Sequence, residues 1–455
     1  MAKVISKLNS SSASGPDNIP VIVLQRCCPE LSSALSKLFN KCLAESSFPS
    51  CWKCPSVVPA FKNSGERSDP QNYRPISLLP IMSKVFESLI NSALVSHFES
   101  HNLFSDKQYG FRASRSTTDL LTVITERFYR ALDRCGEARV VALDISKAFD
   151  RVWHAGLLHK LKSYGVSGKI FNIIESFLCE RKIKVVLDGQ HSSIYSITSG
   201  VPQGSILGPI LFLIFINDLP DTLISDLAIY ADDTSLYSCV NEKSGLFERL
   251  ELAGSLELDL SSVIEWGSQW LVTFNSAKTK LLSINRYHNS VNIPISMADN
   301  VLAESSSFRL LGLTFSNDLT WSSYIKSIAK SAAMKVGSLY RARHYLSPEC
   351  VLHLYKSLIR PYMEYCCHLW AGASSDALRL LDKIQKRVAN IIGPTLAASL
   401  QPLSVRCDVA SHSLFYKYYH GHCSAELLSL VPVETQDNLK MILYSLLQMS
   451  TDSIF

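Results

Sequence analysis

Ala228-Ile229-Tyr230-Ala231-Asp232-Asp233-Thr234-Ser235-Leu236-Tyr237 sets two adjacent carboxylates between two apolar, strand-forming runs. The left run is Leu227 to Ala231 and the right run is Ser235 to Val240. Both are rich in strand formers, and Asp-Asp-Thr between them has turn chemistry, so the stretch reads as a β-hairpin with an acidic tip. Neighbouring aspartates repel each other and are costly to bury uncompensated. A divalent cation would remove that cost, and hard oxygen ligands suit Mg²⁺. Acidic turns are also common on ordinary surfaces, so the hairpin gains meaning only from partners elsewhere in the chain.

The chain has 455 residues, 47% of them apolar, which allows two or three domains with cores of their own. That composition excludes a disordered chain. A net charge of +5 permits nucleic-acid binding without demanding it. Met1-Ala2-Lys3-Val4-Ile5-Ser6-Lys7 lacks the apolar core of a secretory signal. The longest apolar run, Ile206 to Ile216, carries Gly208 and Pro209 near its start. It is too short to span a bilayer and fits a buried helix or strand. The 13 cysteines, odd in number and scattered, read as reduced thiols of an intracellular protein. Cys51-Trp52-Lys53-Cys54 has the spacing of half a zinc site, with no matching second pair. Cys407, His412, His420, His422 and Cys423 lie among apolar and aromatic residues, where a packed terminal helix is favoured over zinc.

Apolar periodicity predicts helices over residues 19–43, 81–98, 117–132, 250–271, 321–346 and 377–392. Thr117 or Thr118 is the expected cap of the third. Strands are expected at Val57 to Phe61, Arg139 to Leu143, Ile183 to Leu187, Tyr195 to Thr198, Thr273 to Asn275 and Leu281 to Ile284. Phe308 to Phe315 reads as a last strand around Gly312. The cations Lys326, Lys330 and Lys335, and Lys383, Lys386 and Arg387, fall off the apolar faces of their helices, as on any solvated surface.

Arg139-Val140-Val141-Ala142-Leu143 is a buried-type strand that ends on Asp144, with a helix expected at once after it. If that strand lies beside the hairpin, Asp144 reaches the same point as Asp232 and Asp233. Three carboxylates can then hold two Mg²⁺ ions for an in-line displacement at phosphorus. Between these elements lies Ser199-Gly200-Val201-Pro202-Gln203-Gly204-Ser205-Ile206-Leu207-Gly208-Pro209. Its glycines let a base or sugar approach the main chain, and Gln203 can hydrogen-bond a base edge or a backbone.

These blocks together resemble the reverse transcriptases of non-LTR retrotransposons, the LINE-type, jockey-like group. The resemblance rests on residues 144–154, on residues 200–209 with Leu211-Phe212 and Ile216-Asn217-Asp218-Leu219-Pro220, and on Tyr230-Ala231-Asp232-Asp233. It extends to Gly15-Pro16-Asp17, Lys62, Asn72-Tyr73-Arg74-Pro75, Gln108-Tyr109-Gly110-Phe111-Arg112 and Ser116-Thr117-Thr118. Trp266 with Asn275 and Lys278, Leu311-Gly312 with Asp318 and Trp321, and Leu358-Ile359-Arg360-Pro361 continue it.

The resemblance implies an α+β right-hand polymerase of palm, fingers and thumb, with an antiparallel palm sheet followed by a helical thumb. It implies an N-terminal extension over 1–42, a reverse transcriptase domain of fingers and palm over 43–316, a thumb over 317–400 and a tail over 401–455. The implied activity is RNA-directed DNA polymerase, adding deoxynucleotides to a primer 3′-hydroxyl. Asp144, Asp232 and Asp233, with the Ile145 carbonyl, would hold two Mg²⁺ ions. Lys62 and Arg74 would hold the triphosphate, and Phe149 would exclude a ribose 2′-hydroxyl. Gln203 and Gly204 would position template and nucleotide, and Lys278 would protonate the leaving pyrophosphate. Arg112, Arg115, Lys326 and Lys330 are candidate phosphate contacts. The implied partners are template RNA, a DNA primer, deoxynucleoside triphosphates and the element's own RNA as a ribonucleoprotein, with no membrane. The implied location is the nucleus. The chain opens at the polymerase's N-terminal extension, so a copy without the endonuclease domain is expected. Residues from Met441 onward do not continue the jockey-like pattern, as in a truncated or frame-shifted copy. The rival readings are an inactive nucleic-acid-binding remnant and an intron maturase or another cellular reverse transcriptase.

Overall fold

The computed structural model describes residues 1–134, 136–240, 245–286 and 293–431. Strands β1 (Ser56–Phe61), β2 (Tyr73–Leu78), β3 (Glu137–Leu143), β4 (Lys182–Leu187), β5 (Gln190–His191), β6 (Tyr195–Ser196), β7 (Asp226–Tyr230), β8 (Asp233–Val240) and β9 (Lys280–Ile284) build two sheets. The first runs β2-β1-β4-β5, with β6 also paired to β4. The second runs β7-β8-β3-β9 and is antiparallel throughout.

The second sheet is covered on both faces, which is why β3 is apolar at successive positions rather than at every other one. Side chains alternate along a strand. Val141 and Leu143 therefore enter one core, shared with the helices Leu207–Ile216 and Leu246–Trp270. Ala138 and Val140 enter the other, shared with the helix Thr117–Asp133 and with helices that follow Trp321.

The apolar run Ile206 to Ile216 is the helix Leu207–Ile216, buried at every position but Pro209. A carboxylate from another helix caps it. Glu87, fully buried on the helix Ile81–Ser100, accepts the N–H of Ile206 at 2.8 Å and of Leu207 at 3.3 Å. An anion at a helix N-terminus meets the orphan donors and the positive end of the dipole. Burial still pushes the Glu87 carboxyl upward. Beyond the helix's other end, the buried Lys160 ammonium donates to Asp218 Oδ1 at 2.5 Å and to the Phe215 carbonyl at 2.6 Å. Burial lowers Lys160 to about 8.

Local expectations shift in five places. Ser116 caps the Thr117–Asp133 helix, accepting from the Asp119 N–H at 3.2 Å, so the cap lies one residue before the expected threonines. The helix over 19–43 is broken into Val21–Arg26 and Cys28–Ala44, where Pro29 opens the second piece. No helix follows Asp144 at once: a 3₁₀ turn, Ala148–Arg151, precedes the helix His154–Ser163. Phe308 to Phe315 is a hairpin, Ser307–Leu310 with Leu313–Ser316, because Leu311 and Gly312 both take positive φ. The acidic turn comprises Ala231 and Asp232, since Asp233 already pairs with Tyr230.

The helix Leu403–Tyr419 is tied back to the helix Thr117–Asp133, which covers one face of the second sheet. Asp119, 0% exposed on the Thr117–Asp133 helix, accepts from Lys417 Nζ at 3.0 and 2.8 Å and from the Tyr418 hydroxyl at 3.0 Å. Tyr109 shares a hydrogen bond of 3.0 Å with Ser424, and Arg127 pairs with Glu426 at 3.1 Å. Met441 to Tyr444 lie outside the described residues. Among the described residues no helix is long and apolar enough to cross a membrane.

Candidate active site

Register brings the carboxylates together. Leu143 of β3 pairs with Thr234 of β8, and Tyr230 of β7 pairs with Asp233. Carried one step on, the same register sets Asp144 beside Asp233, with Asp232 in the turn next to it. The backbone past β3 stays in line. Asn275 N–H donates to the Asp144 carbonyl at 2.9 Å, and Ser146 N–H donates to the Thr273 carbonyl at 3.0 Å. These bonds flank the Ile145–Phe274 bridge. In such a pair Ile145's own carbonyl turns to the opposite edge, the side on which β8 and the acidic tip lie.

Asp232 and Asp233 are exposed by surface area, yet protein crowds the tip enough to strip part of their water. That desolvation raises both carboxyls. Asp232 and Asp144 push Asp233 further up. Asp144 does the same to Asp232, while a backbone hydrogen bond and Arg74 hold it down. The donor set is all oxygen, three carboxyl groups and a main-chain carbonyl, which fits a hard divalent cation. Among the described residues no three His, Cys, Asp or Glu side chains form a ready-made cage around one point. Mg²⁺ needs no such cage: it retains waters and shares its shell with substrate phosphates, taking one or two carboxylates from the protein. The expected cluster of Cys407, His412, His420, His422 and Cys423 forms no cage either. His412 Nδ1 lies 2.7 Å from the Asp408 carbonyl, and Cys423 Sγ donates to the Tyr418 carbonyl at 3.8 Å.

Two cations approach from the β1–β2 hairpin. Arg74 pairs in register with Ala60 and is exposed, facing Asp232 in charge. Lys62 is held by its own turn, its Nζ donating to the Gln71 carbonyl at 2.8 Å. Its charge is felt by Asp150, whose carboxyl burial raises and Gln203, Lys147 and Lys62 lower.

The Gly200–Pro209 loop packs against both neighbours. Ser77 N–H of β2 donates to the Gln203 carbonyl at 2.7 Å, and Gln203 Nε2 donates to Asp150 Oδ1 at 2.9 Å. The Gln203 side chain is thus engaged with protein rather than free to meet a base. Gly204 takes φ +120°, and a Cβ there would stand 2.5 Å from the Ser77 carbonyl oxygen, so only glycine fits. Val201 N–H donates to the Phe149 carbonyl at 2.8 Å. The Phe149 ring is half-buried and stacks on Phe212 at 4.6 Å. Lys278 is exposed in the turn after Asn275, and it is the backbone N–H that bonds Asn275, at 3.1 Å. Arg112 and Arg115 are not phosphate contacts. Their side chains are 8% and 9% exposed and committed to Glu99 and Asp106. Lys326 and Lys330 are exposed on the Ser322–Ala342 helix.

One element of the site carried no assigned role in the sequence. Gln108-Tyr109-Gly110 runs along the edge of β7, where Tyr109 N–H donates to the Ile229 carbonyl at 2.8 Å. A Cβ on Gly110 would stand 2.4 Å from the Ala231 nitrogen. The glycine itself was the available signal, since an isolated glycine beside apolar residues marks a close backbone approach.

An antiparallel sheet that presents carboxylates from a strand end and a neighbouring hairpin turn, with a cation of a second sheet acting on them, is the arrangement of a right-hand polymerase. The family model for reverse transcriptase (RNA-dependent DNA polymerase) matches residues 62–315, more than half of the chain, and the chain belongs to that family. It is 29% identical over 432 residues to the probable RNA-directed DNA polymerase from transposon X-element of Drosophila melanogaster, covering 91% of this chain and 47% of that protein. It is 30% identical over 396 residues to the RNA-directed DNA polymerase from mobile element jockey of the same species, covering 84% and 42%. Against the probable RNA-directed DNA polymerase from transposon BS, also of that species, identity is 27% over 469 residues, covering 95% and 50%. The chain thus spans about half the length of the curated relatives it matches. A telomerase structure from Candida albicans, in complex with a TWJ fragment of telomeric RNA, overlays with a TM-score of 0.42 at 12% identity, covering 81% of this chain and 66% of that one. The reverse transcriptase family implies dependence on a divalent metal and a nucleic-acid template and primer.

Proposed function

We propose that this chain is the polymerase portion of a non-LTR retrotransposon protein, copying an RNA template into DNA from a primer 3′-hydroxyl. The observation that carries the reading is the β3–β8 register, which sets Asp144 beside Asp233 at the tip of the hairpin. Asp144, Asp232 and Asp233, with the Ile145 carbonyl, are the proposed ligands of two Mg²⁺ ions. When bound, the ions supply Lewis-acid activation of the primer hydroxyl and neutralise the departing pyrophosphate. Arg74, opposite Asp232, and Lys62 hold the triphosphate and offset its developing charge. Phe149, backed by Phe212, closes the space beside the sugar and so selects deoxynucleotides. Gln203, through Asp150 and the β2 backbone, and Gly204, through its close packing on Ser77, position template and nucleotide. Lys278 donates a proton to pyrophosphate.

Domain limits follow the same reading: N-terminal extension 1–42, fingers and palm 43–316, thumb 317–400, tail 401–455. The proposed partners are template RNA, a DNA primer, deoxynucleoside triphosphates and the element RNA as a ribonucleoprotein, at chromosomal DNA in the nucleus. Primer extension on an RNA template with Mg²⁺ tests the function. Template-directed DNA product is expected; template–primer binding without incorporation by well-folded protein supports instead an inactive remnant.

A further inference from the structure

Gln108 is 2% exposed and has no place in the chemistry above. It forms a parallel bridge with Ile229, at the edge of β7. Its side-chain Oε1 accepts two hydrogen bonds, from the Gly110 N–H at 2.7 Å and from the Ala231 N–H at 3.0 Å. Ala231 is the turn residue directly before Asp232, and it takes φ +58°. Its N–H lies outside the hairpin ladder, which closes at Tyr230 and Asp233. A two-residue turn with an L residue in the left-handed region returns to commoner geometry unless its surroundings hold it. The close packing of Gly110 on Ala231 and the Gln108 oxygen are what hold this one.

We propose that Gln108 is a positioning residue for the acidic hairpin: its amide oxygen fixes the Ala231 peptide and thereby aims the Asp232 carboxylate. The inference rests on the polymerase reading. It goes beyond it in assigning a buried neutral side chain, remote in sequence, to the geometry of the metal-binding tip. A carboxylate at this position keeps the oxygen that accepts both bonds, whereas an aliphatic side chain of similar size removes it.

Two substitutions separate anchoring from packing. If Gln108 only fills space, Gln108→Leu is tolerated and Gln108→Glu, which buries a charge, is damaging. If its oxygen anchors the turn, the order reverses. The readouts are Mn²⁺ binding to the nucleic-acid-free protein by electron paramagnetic resonance, and single-nucleotide incorporation across a Mg²⁺ titration. For Gln108→Leu the expected result is about 10-fold weaker Mn²⁺ binding and a kcat lower by about 30-fold, with unchanged template–primer affinity. Gln108→Glu is expected to stay within about 3-fold of wild type in kcat, because the acceptor is kept. Wild-type behaviour of Gln108→Leu, or Gln108→Glu worse than Gln108→Leu, overturns the proposal while leaving the polymerase reading intact. A folded wild-type chain that incorporates no nucleotide overturns both.

Discussion

Asp232 and Asp233 sit where a folded protein pays for its chemistry. Desolvation at the tip raises both carboxyls, and each aspartate suffers the charge of its neighbours. A raised folded-state pKa means that the folded chain binds the proton more tightly than the unfolded one, whose aspartates titrate near ~3.9. The associated stability is therefore full below the unfolded value and is lost as pH rises through the higher folded value. At pH 7 without metal the tip is destabilising. Asp233→Asn should raise the melting temperature of the metal-free protein at pH 7 by about 1–2 °C, a small gain because the tip is open to solvent. The gain should shrink as pH falls toward the unfolded value of ~3.9, because the raised wild-type carboxyl takes up its proton before an unfolded one does. Mg²⁺ should stabilise the wild type and not the variant. Differential scanning fluorimetry across pH, with and without Mg²⁺, measures all three.

At the scale of elements, the buried contact of Asp119 with Lys417 and Tyr418 joins the helix beneath the palm to a helix near the end of the described chain. Asp119→Ala leaves the Lys417 ammonium without its carboxylate partner. Lys417 is 31% exposed and recovers some hydration, so the expected loss is about 2–3 kcal/mol, read as a lower urea midpoint. Double substitution with Lys417→Met should recover part of it. This contact was not legible in the sequence. Its partners are far apart in the chain, and no local pattern distinguishes an ordinary first-turn aspartate from one that also receives a distant lysine. The palm strands were legible, because β3 is apolar at successive positions and the two hairpin runs are rich in strand formers. The turn was misplaced by one residue. Composition marks Asp-Asp-Thr as turn-like, but the ladder closes at Asp233, and the strained residue is Ala231, which has no turn propensity of its own. Arg112 and Arg115 were misread for a related reason: a sequence shows their charge but not Glu99 and Asp106 folded against them.

Across the whole molecule, the palm sheet separates two cores, and the acidic tip lies at the end of the strands that both cores hold in place. The fingers hairpin brings Arg74 to it, and the Gly200–Pro209 loop is fastened to both β2 and the turn after Asp144. Each of these elements converges on the end of β3. The central claim is that Asp144, Asp232 and Asp233 act together on a metal-bound nucleotide. The most direct test is the rate of single-nucleotide incorporation on an RNA template–DNA primer by wild type and Asp232→Asn, with binding of the template–primer measured on the same samples. A loss of about 10³-fold or more in rate with binding unchanged is expected for a group acting on transition-state charge. Equal rates for the two proteins would contradict the account.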